Sequence, residues 1–345
     1  MAGTSNPFPG GGARGIVFAG GQWVAVGNDS GNTALVATSP DGNCWTVQTS
    51  PTGFTYGTVI DWSPSLGLFC MGGNGTSVIA TSPDGVTWTT QTSPMDGNIV
   101  RGIIWASGLG LFIAAGQNTG ATVTIMTSPD GAAWTAQTSQ FDYAGNAGDT
   151  GTGVAWDNGG GVAVVVGGNI DTSVLVATSP DGATWTAQTT PLDANVPLPI
   201  QNAVSFSPDL GQFVTTGSFG SLMTSPDGVT WTVQTTPGGT AFYDVGQGVS
   251  WSHDLGLWVV ATQNMGGLGK ALITSPDGAA WTYAASGFDG LAGAAQPFWS
   301  GSLWIVAGGV GTLNFVLSTD GVTWSDAACA VLGSPVFNHR FRAGD

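Results

Sequence analysis

One short segment recurs seven times in this chain of 345 residues, and its recurrence constrains the fold more than any other feature. Each copy reads Ser-Pro-Asp-Gly-x-x-Trp, with Thr in place of Pro in the last copy, and we call it the box turn. Successive box tryptophans are 43 to 51 residues apart. The aspartates and tryptophans of the seven box turns are Asp41, Asp84, Asp130, Asp181, Asp227, Asp277 and Asp320, with Trp45, Trp88, Trp134, Trp185, Trp231, Trp281 and Trp324.

The residues of the box turn predict a tight hairpin. In the second copy, Pro83 presets φ for the first central position of a type I turn, Asp84 takes the second, and Gly85 accepts the left-handed position that follows. Residues that favour strands flank the turn on both sides. An aspartate in such a turn usually accepts hydrogen bonds from nearby backbone amides, so we expect the seven box aspartates to be structural rather than catalytic.

A second pattern precedes each box turn. A strand that ends in an aromatic residue, such as "RGIIW" at 101–105, is followed by a short turn and another strand, such as "GLFIAAG" at 110–116. Strand repeats of about 40–50 residues are typical of propeller blades. We therefore predict an all-β protein, a single seven-bladed β-propeller with four antiparallel strands per blade. The predicted parts are an arm (1–12), a propeller (13–328) with blades at about 13–50, 54–93, 99–139, 150–190, 200–236, 245–286 and 291–328, and a tail (329–345).

The box turn resembles the Asp-box, or bacterial neuraminidase repeat, whose family form is Ser/Thr-x-Asp-x-Gly-x-Thr-Trp. The turn found here has one residue fewer between Asp and Trp. The resemblance covers all seven repeats and implies that each box turn joins the third and fourth strands of a blade. It leaves function open, because Asp-box propellers serve as sialidases, glucanases, sorting receptors, lectins and assembly factors. Propellers with this shortened box and little Lys or Glu are similar to those on bacteriophage particles and bacterial surface proteins.

Charge excludes some classes of function. All 21 acidic residues are aspartates, the chain has five Lys and Arg residues, and the formal net charge is −16. Such a chain repels phosphate backbones, so we expect no nucleic-acid partner. Asp-box sialidases need a glutamate and three arginines, and this chain has no glutamate. His253 and His339 show no metal-ligand or nucleophile pattern. We therefore expect no enzymatic activity, no cofactor and no metal. A glycoside hydrolase that uses two loop aspartates is a distant alternative.

Targeting signals and cysteines give further expectations. No run of 18 apolar residues predicts a membrane span, and the N-terminus lacks the pattern of a signal peptide. We expect synthesis in a cytoplasm and a final place on a virion or an extracellular surface. Cys44, Cys70 and Cys329 match no zinc site, and we expect free, mostly buried thiols that fit a reducing compartment.

The two faces of a propeller differ in what they offer a ligand. Box turns share one face, the box face, with the turns between first and second strands. The loops between second and third strands and between blades lie on the opposite, loop face, and these are longer and more varied. All fifteen tryptophans fall in repeating structural positions, so ligand contacts should come from loop residues. The loop candidates are Tyr56, Phe141, Asp142, Tyr143, Tyr243 and Asp244.

A polar ring is predicted at the channel mouth on the loop face. The residues four positions before the aromatic end of each first strand are Arg14, Thr58, Arg101, Thr152, Asn202, Gln247 and Ala295. Arg14 and Arg101 occupy equivalent positions in the first and third blades, where they could hold a carboxylate by bidentate hydrogen bonds. The alternative, favoured by the acidic excess, is that they neutralise loop aspartates.

The leading functional interpretation is a surface-exposed virion or bacterial-surface module that binds a glycan or a host receptor through its loop face. The alternative is a purely structural virion component that docks onto other coat or tail proteins. The repeats predict no blade shared between the two ends of the chain. We expect the tail, or the N-terminal "NPFPGGG", to hold the junction of the first and last blades or to contact another copy in a homo-oligomer.

Overall fold

The computed structural model describes residue 4 and residues 6–117, 123–139, 141, 150–169, 174–193, 200–237, 245–263, 272–284, 294–308 and 315–329. The described residues form 28 strands and one 3₁₀ turn, Ser218–Gly220. No helix among them is long and apolar enough to cross a membrane.

The strands group into seven blades of four, in chain order. Blades one to three contain β1 (Gly12–Ala19), β2 (Gln22–Asn28), β3 (Ala34–Ser39), β4 (Thr46–Gln48); β5 (Phe54–Ser63), β6 (Leu68–Gly75), β7 (Ile79–Ser82), β8 (Thr89–Gln91); β9 (Ile99–Ala106), β10 (Leu111–Gln117), β11 (Ile125–Ser128), β12 (Thr135–Gln137). Blades four and five contain β13 (Thr150–Asp157), β14 (Val162–Asn169), β15 (Val174–Ser179), β16 (Thr186–Gln188); β17 (Gln201–Ser207), β18 (Gln212–Gly217), β19 (Leu222–Ser225), β20 (Thr232–Val233). Blades six and seven contain β21 (Val245–Ser252), β22 (Leu257–Gln263), β23 (Leu272–Ser275), β24 (Thr282–Tyr283); β25 (Ala294–Trp299), β26 (Trp304–Gly308), β27 (Phe315–Ser318), β28 (Ser325–Asp326).

The blades form a closed ring around an axis. Within each blade the four strands pair antiparallel in sequence order, and single bridges such as Asn74 with Ile99 link blades two to four. The first strand of each blade contacts the first strands of its neighbours, and β1 contacts β25 and β26, so the ring closes between blades one and seven. The predicted seven-bladed β-propeller is therefore confirmed, and each terminal blade is built from its own four strands.

Each box turn is held by the same hydrogen bonds. In blade two, Asp84 Oδ1 accepts the amides of Val86 at 2.9 Å and Thr87 at 2.7 Å, and Ser82 Oγ accepts the amide of Gly85 at 2.8 Å. The indole N–H of Trp88 donates to the carbonyl of Gly85 at 3.1 Å. These amides lower the pKa of Asp84 to about 2, because they favour its charged form. The box aspartates therefore fix the turn from within.

The junction of blades one and seven corrects one prediction. Cys44 and Cys329 form a disulfide with Cα atoms 4.7 Å apart, so the expectation of three free thiols is wrong for these two, and Cys70 is the free, buried cysteine. Cys44 lies in the box turn of the first blade and Cys329 follows the last strand. Ring closure brings them together across 285 residues, which spacing in the sequence does not reveal.

The N-terminal arm also lies across this junction. Thr4 pairs with Trp45 by two backbone hydrogen bonds of 2.8 and 2.9 Å. Phe8 is fully buried against Phe315 of blade seven, and Phe315 stacks on Trp45 at 4.3 Å between ring centroids. The arm, the disulfide and the stacked rings therefore join the first blade to the last. Residues 330–345, where the rest of the tail prediction falls, lie outside the described residues.

Candidate functional site

A β-bulge marks the same place in the first strand of every blade. There the pairing with the second strand skips one residue, or two in blade seven. A bulge leaves the extra residue outside the ladder and redirects its side chain, which is why bulges are frequent beside functional sites. The skipped residues coincide with the predicted polar ring: Arg14, Thr58, Arg101, Thr152, Asn202, Gln247 and, in blade seven, Ala295 with Gln296.

Small residues follow the bulges in five of the seven blades, where the backbones approach closely. A Cβ on Gly15 would lie 2.8 Å from the Cα of Val59, and a Cβ on Gly102 would lie 3.1 Å from the Cα of Gly153. Real Cβ atoms tolerate such distances only if the backbone shifts. The glycines therefore let the first strands close around the axis and set the width of the ring just beneath the bulged side chains.

Three bulged side chains connect neighbouring blades. The hydroxyl of Thr58 donates to the carbonyl of Val100, and the hydroxyl of Thr152 donates to the carbonyl of Gln201. The amide of Asn202 donates to the carbonyl of Gly246 at 2.9 Å. Each acceptor directly precedes the bulge of the next blade. These three polar residues are therefore engaged in holding the ring together.

Arg14 and Arg101 use the same position differently. Arg14 Nε donates to Asn28 Oδ1 at 3.2 Å, and an Arg101 Nη donates to Gln117 Oε1 at 2.9 Å. Both acceptors end the second strand of the arginine's own blade, and both arginine side chains are exposed. These two amides were not among the predicted site residues; their signal in the sequence is a polar residue at the last position of β2 and β10.

Tyr56 lies with the two arginines. The guanidinium carbon of Arg14 is 4.8 Å from the centroid of the Tyr56 ring, a cation–π contact. Although the Arg101 side chain is partly exposed, desolvation by the neighbouring atoms lowers its pKa, Tyr56 raises it, and the charge of Arg14 lowers it. The three side chains are thus close enough to interact electrostatically. We call Arg14, Tyr56 and Arg101 the mouth cluster.

The predicted loop position of Tyr56 is wrong: Tyr56 lies in β5, because that strand continues past its bulge and Tyr56 pairs with Asn74. Phe141 is fully buried in the core between blades three and four, so its expected exposure to a ligand is wrong. Asp142, Tyr143, Tyr243 and Asp244 lie outside the described residues.

Charge makes the mouth cluster unusual in this protein. Of the five Arg and Lys residues in the chain, Arg14 and Arg101 are the two that lie in its described part. Neither forms a salt bridge with a described acidic residue. Among the described residues, the imidazole Nδ1 of His253 lies 2.6 Å from Oδ1 of Asp209. The described aspartates therefore do not neutralise the two arginines. The cluster presents two guanidinium groups and one aromatic ring, an arrangement that is suited to binding an anion.

The box face carries exposed apolar side chains at repeated positions. Leu66, Leu210 and Leu255 lie in turns between first and second strands, and Val86, Val229 and Val322 lie in box turns. Between 38% and 47% of each residue's surface is exposed. These six residues give the box face a regular apolar character.

Comparison with known proteins supports the fold and leaves function open. No protein-family model and no curated protein matches the chain. Similar solved structures include an inactive virginiamycin B lyase from Staphylococcus aureus with quinupristin, with a TM-score of 0.68 and 10% identity over 89% of this chain and 95% of that one. YCF48 with a bound peptide has a TM-score of 0.60 and 16% identity over 96% of both chains. YCF48 from Cyanidioschyzon merolae has a TM-score of 0.56 and 16% identity over 91% and 95%.

These similar structures are β-propellers. At identities of 10–16% they establish a shared fold and carry no statement about the activity or ligand of this chain.

Proposed function

We propose that this protein is a non-enzymatic recognition module on the surface of a virion or a bacterium, and that its loop face binds an acidic glycan of a host receptor. The mouth cluster is the observation that carries the proposal. Its arginines offer bidentate hydrogen bonds to a carboxylate, and the Tyr56 ring offers a flat apolar surface to a sugar ring. The remaining loop candidates, Tyr143 and Tyr243 with their neighbouring aspartates, would extend this surface.

Two further features support a surface role. The disulfide Cys44–Cys329 is of a kind that persists in oxidising surroundings, outside the cytoplasm. The resemblance of the box turn to the Asp-box of phage-particle and bacterial-surface propellers favours the same class. A catalytic role is not proposed, because the mouth cluster supplies cations and a phenol without the carboxylate partner that acid–base chemistry on a sugar needs.

A glycan array followed by affinity measurement tests the proposal. Arg101→Gln removes one guanidinium group and should weaken binding of a carboxylated glycan about tenfold or more. Affinity for neutral glycans should not change. Binding should also weaken as salt concentration rises. The matched control is Thr87→Ala on the box face. Alanine is tolerated there, because two other blades carry it at the equivalent position, as Ala133 and Ala280. Equal binding by the wild type and Arg101→Gln would refute the role of the mouth cluster.

The structural alternative rests on the box face. Its repeated apolar side chains, such as Leu66, Leu210 and Leu255, would suit docking onto other virion proteins. Replacing these three leucines with Ser should abolish incorporation into a particle if the alternative holds, and should leave glycan binding unchanged. The two roles are thus separable, since they use opposite faces.

A further inference from the structure

A cavity of about 160 Å³ lies on the propeller axis, toward the box-face end of the first strands. First strands of six of the seven blades line it. Ten of its thirteen lining residues have apolar side chains, such as Ile16, Ile103 and Phe298, and the polar ones are Asp61, Ser205 and Gln296. Polar and apolar atoms contribute about equally to its surface. A cavity of about 150 Å³ is large enough to hold a benzene molecule, so this one has room for a small organic group.

Asp61 departs from the repeat. The residue directly before the aromatic end of the first strand is Val17, Ile104, Ala155, Ser205, Ser250 or Phe298 in the other blades. Asp61 Oδ2 accepts the amide of Trp105, in the next blade, at 2.6 Å. Burial raises the pKa of Asp61 to about 6, against the lowering effect of the Trp105 and Trp62 amides. The carboxylate is therefore held mainly among apolar side chains, where its charged form is less well solvated than in water.

No described cation offsets that cost. Of the other strands that pack against Asp61 or line the cavity, β6 carries the buried thiol of Cys70, whose pKa Asp61 helps to raise, and β13 ends in Asp157. No charged or titratable side chain lies in β2, β3, β17 or β25. Arg14 on β1 and Arg101 on β9 lie three residues before the positions equivalent to Asp61, nearer the loop face. Their guanidinium groups donate hydrogen bonds to Asn28 and Gln117. The cavity thus has a carboxylate without a positive partner among the described residues.

We propose that the axial cavity binds a small organic ammonium ion, with the ammonium group against Asp61 and a short alkyl chain against the aliphatic wall. A single carboxylate suits a monovalent organic cation better than a metal ion, since the described residues hold no group of three His, Cys, Asp or Glu side chains. The ion is either a free amine or the lysine side chain of a partner protein, because both present the same chemistry. The proposal is independent of the mouth cluster, which binds anions at the other end of the channel.

Calorimetric titration with n-butylammonium chloride tests the proposal, with 1-butanol as a neutral control of similar size. We expect saturable binding of the amine at about pH 7.5 and binding at least tenfold weaker at about pH 5, because most of the Asp61 carboxyl is then protonated. Asp61→Asn should reduce affinity at least tenfold. Arg101→Gln should leave it unchanged, which separates this site from the proposed glycan site.

A second variant keeps the test valid if Asp61→Asn does not fold. Ser205→Leu adds volume at the cavity wall at a partly buried position without changing the carboxylate, and it should also weaken amine binding at least tenfold. A lysine-containing peptide tests the source: binding of the peptide supports a partner side chain, and binding of butylammonium alone supports a free amine. Affinity for 1-butanol equal to that for the amine, or undiminished amine binding by both variants, would overturn the proposal.

Discussion

The disulfide between Cys44 and Cys329 should contribute a large part of the stability of the ring. It closes a loop across 285 residues, almost the whole propeller. In the chain-entropy description, a cross-link of this span removes about 5–6 kcal/mol of conformational entropy from the unfolded chain at room temperature. Unfolded chains are more compact than this description assumes, so we expect the double variant Cys44→Ser, Cys329→Ser to lose about 3–5 kcal/mol.

Guanidinium unfolding followed by tryptophan fluorescence measures this loss. With a slope of about 5 kcal/mol per molar denaturant, the midpoint should fall by about 0.6–1 M, and the slope should rise because the reduced chain exposes more surface. The native ring should stay closed, since Phe8 and Phe315 still pack across the junction. The effect therefore lies in the unfolded state.

Treating both the wild type and the double variant with a reductant provides the control. A reductant should lower the wild-type midpoint to that of the double variant and leave the variant unchanged. Thiol titration of the denatured, unreduced wild type should detect one thiol, Cys70, and three after reduction. Equal midpoints with and without reductant, or three thiols before reduction, would refute the reasoning.

Three further predictions follow from individual residues. Asp84→Ala should lower the free energy of unfolding by about 1 kcal/mol, because water can reach the exposed amides of Val86 and Thr87, and chemical denaturation would show it. Thermal stability should fall as pH drops from about 4 to about 2, because the pKa of Asp84 is lowered to about 2 and its protonation removes the turn bonds; a flat profile there would contradict this. Tyr143→Ala and Tyr243→Ala should weaken glycan binding without lowering the melting temperature.

Asp61 contributes to the pH profile with the opposite sign. Because the fold raises its pKa from 3.8 to about 6, the native state binds this proton more readily than the unfolded state does. Its contribution therefore favours the fold below about pH 4 and is lost as pH rises through about 6. In Asp61→Asn, the loss of stability between about pH 4 and 6 should disappear, while the acid loss due to the box aspartates should persist.

Most of the architecture can be predicted from sequence because each blade repeats the same local chemistry. Pro, Asp and Gly specify the box turn, and the spacing of its tryptophans specifies the number of blades. In five blades, a polar residue followed by a small one marks the bulge. These signals are local, so each of them is visible in a window of a few residues.

Contacts between blades are not local, so a window of a few residues does not reveal them. The pairing of Cys44 with Cys329 depends on the first and last blades meeting. The position of Tyr56 beside Arg14 depends on β5 continuing beyond its bulge to the channel mouth. Both features follow from the geometry of the closed ring.

Departures from the repeat are the strongest indications of function in this chain. A residue type found in all seven blades, such as the box aspartate, is explained by the structure of one blade. A position where one or two blades differ has no such explanation, because the other blades show that the fold is satisfied without it. Arginine at the bulge in blades one and three is one such departure, and Asp61 beside the axial cavity is another. The arginines place positive charge toward the loop face, and Asp61 places negative charge toward the box face. We therefore expect anions to bind near the arginines and cations to bind near Asp61.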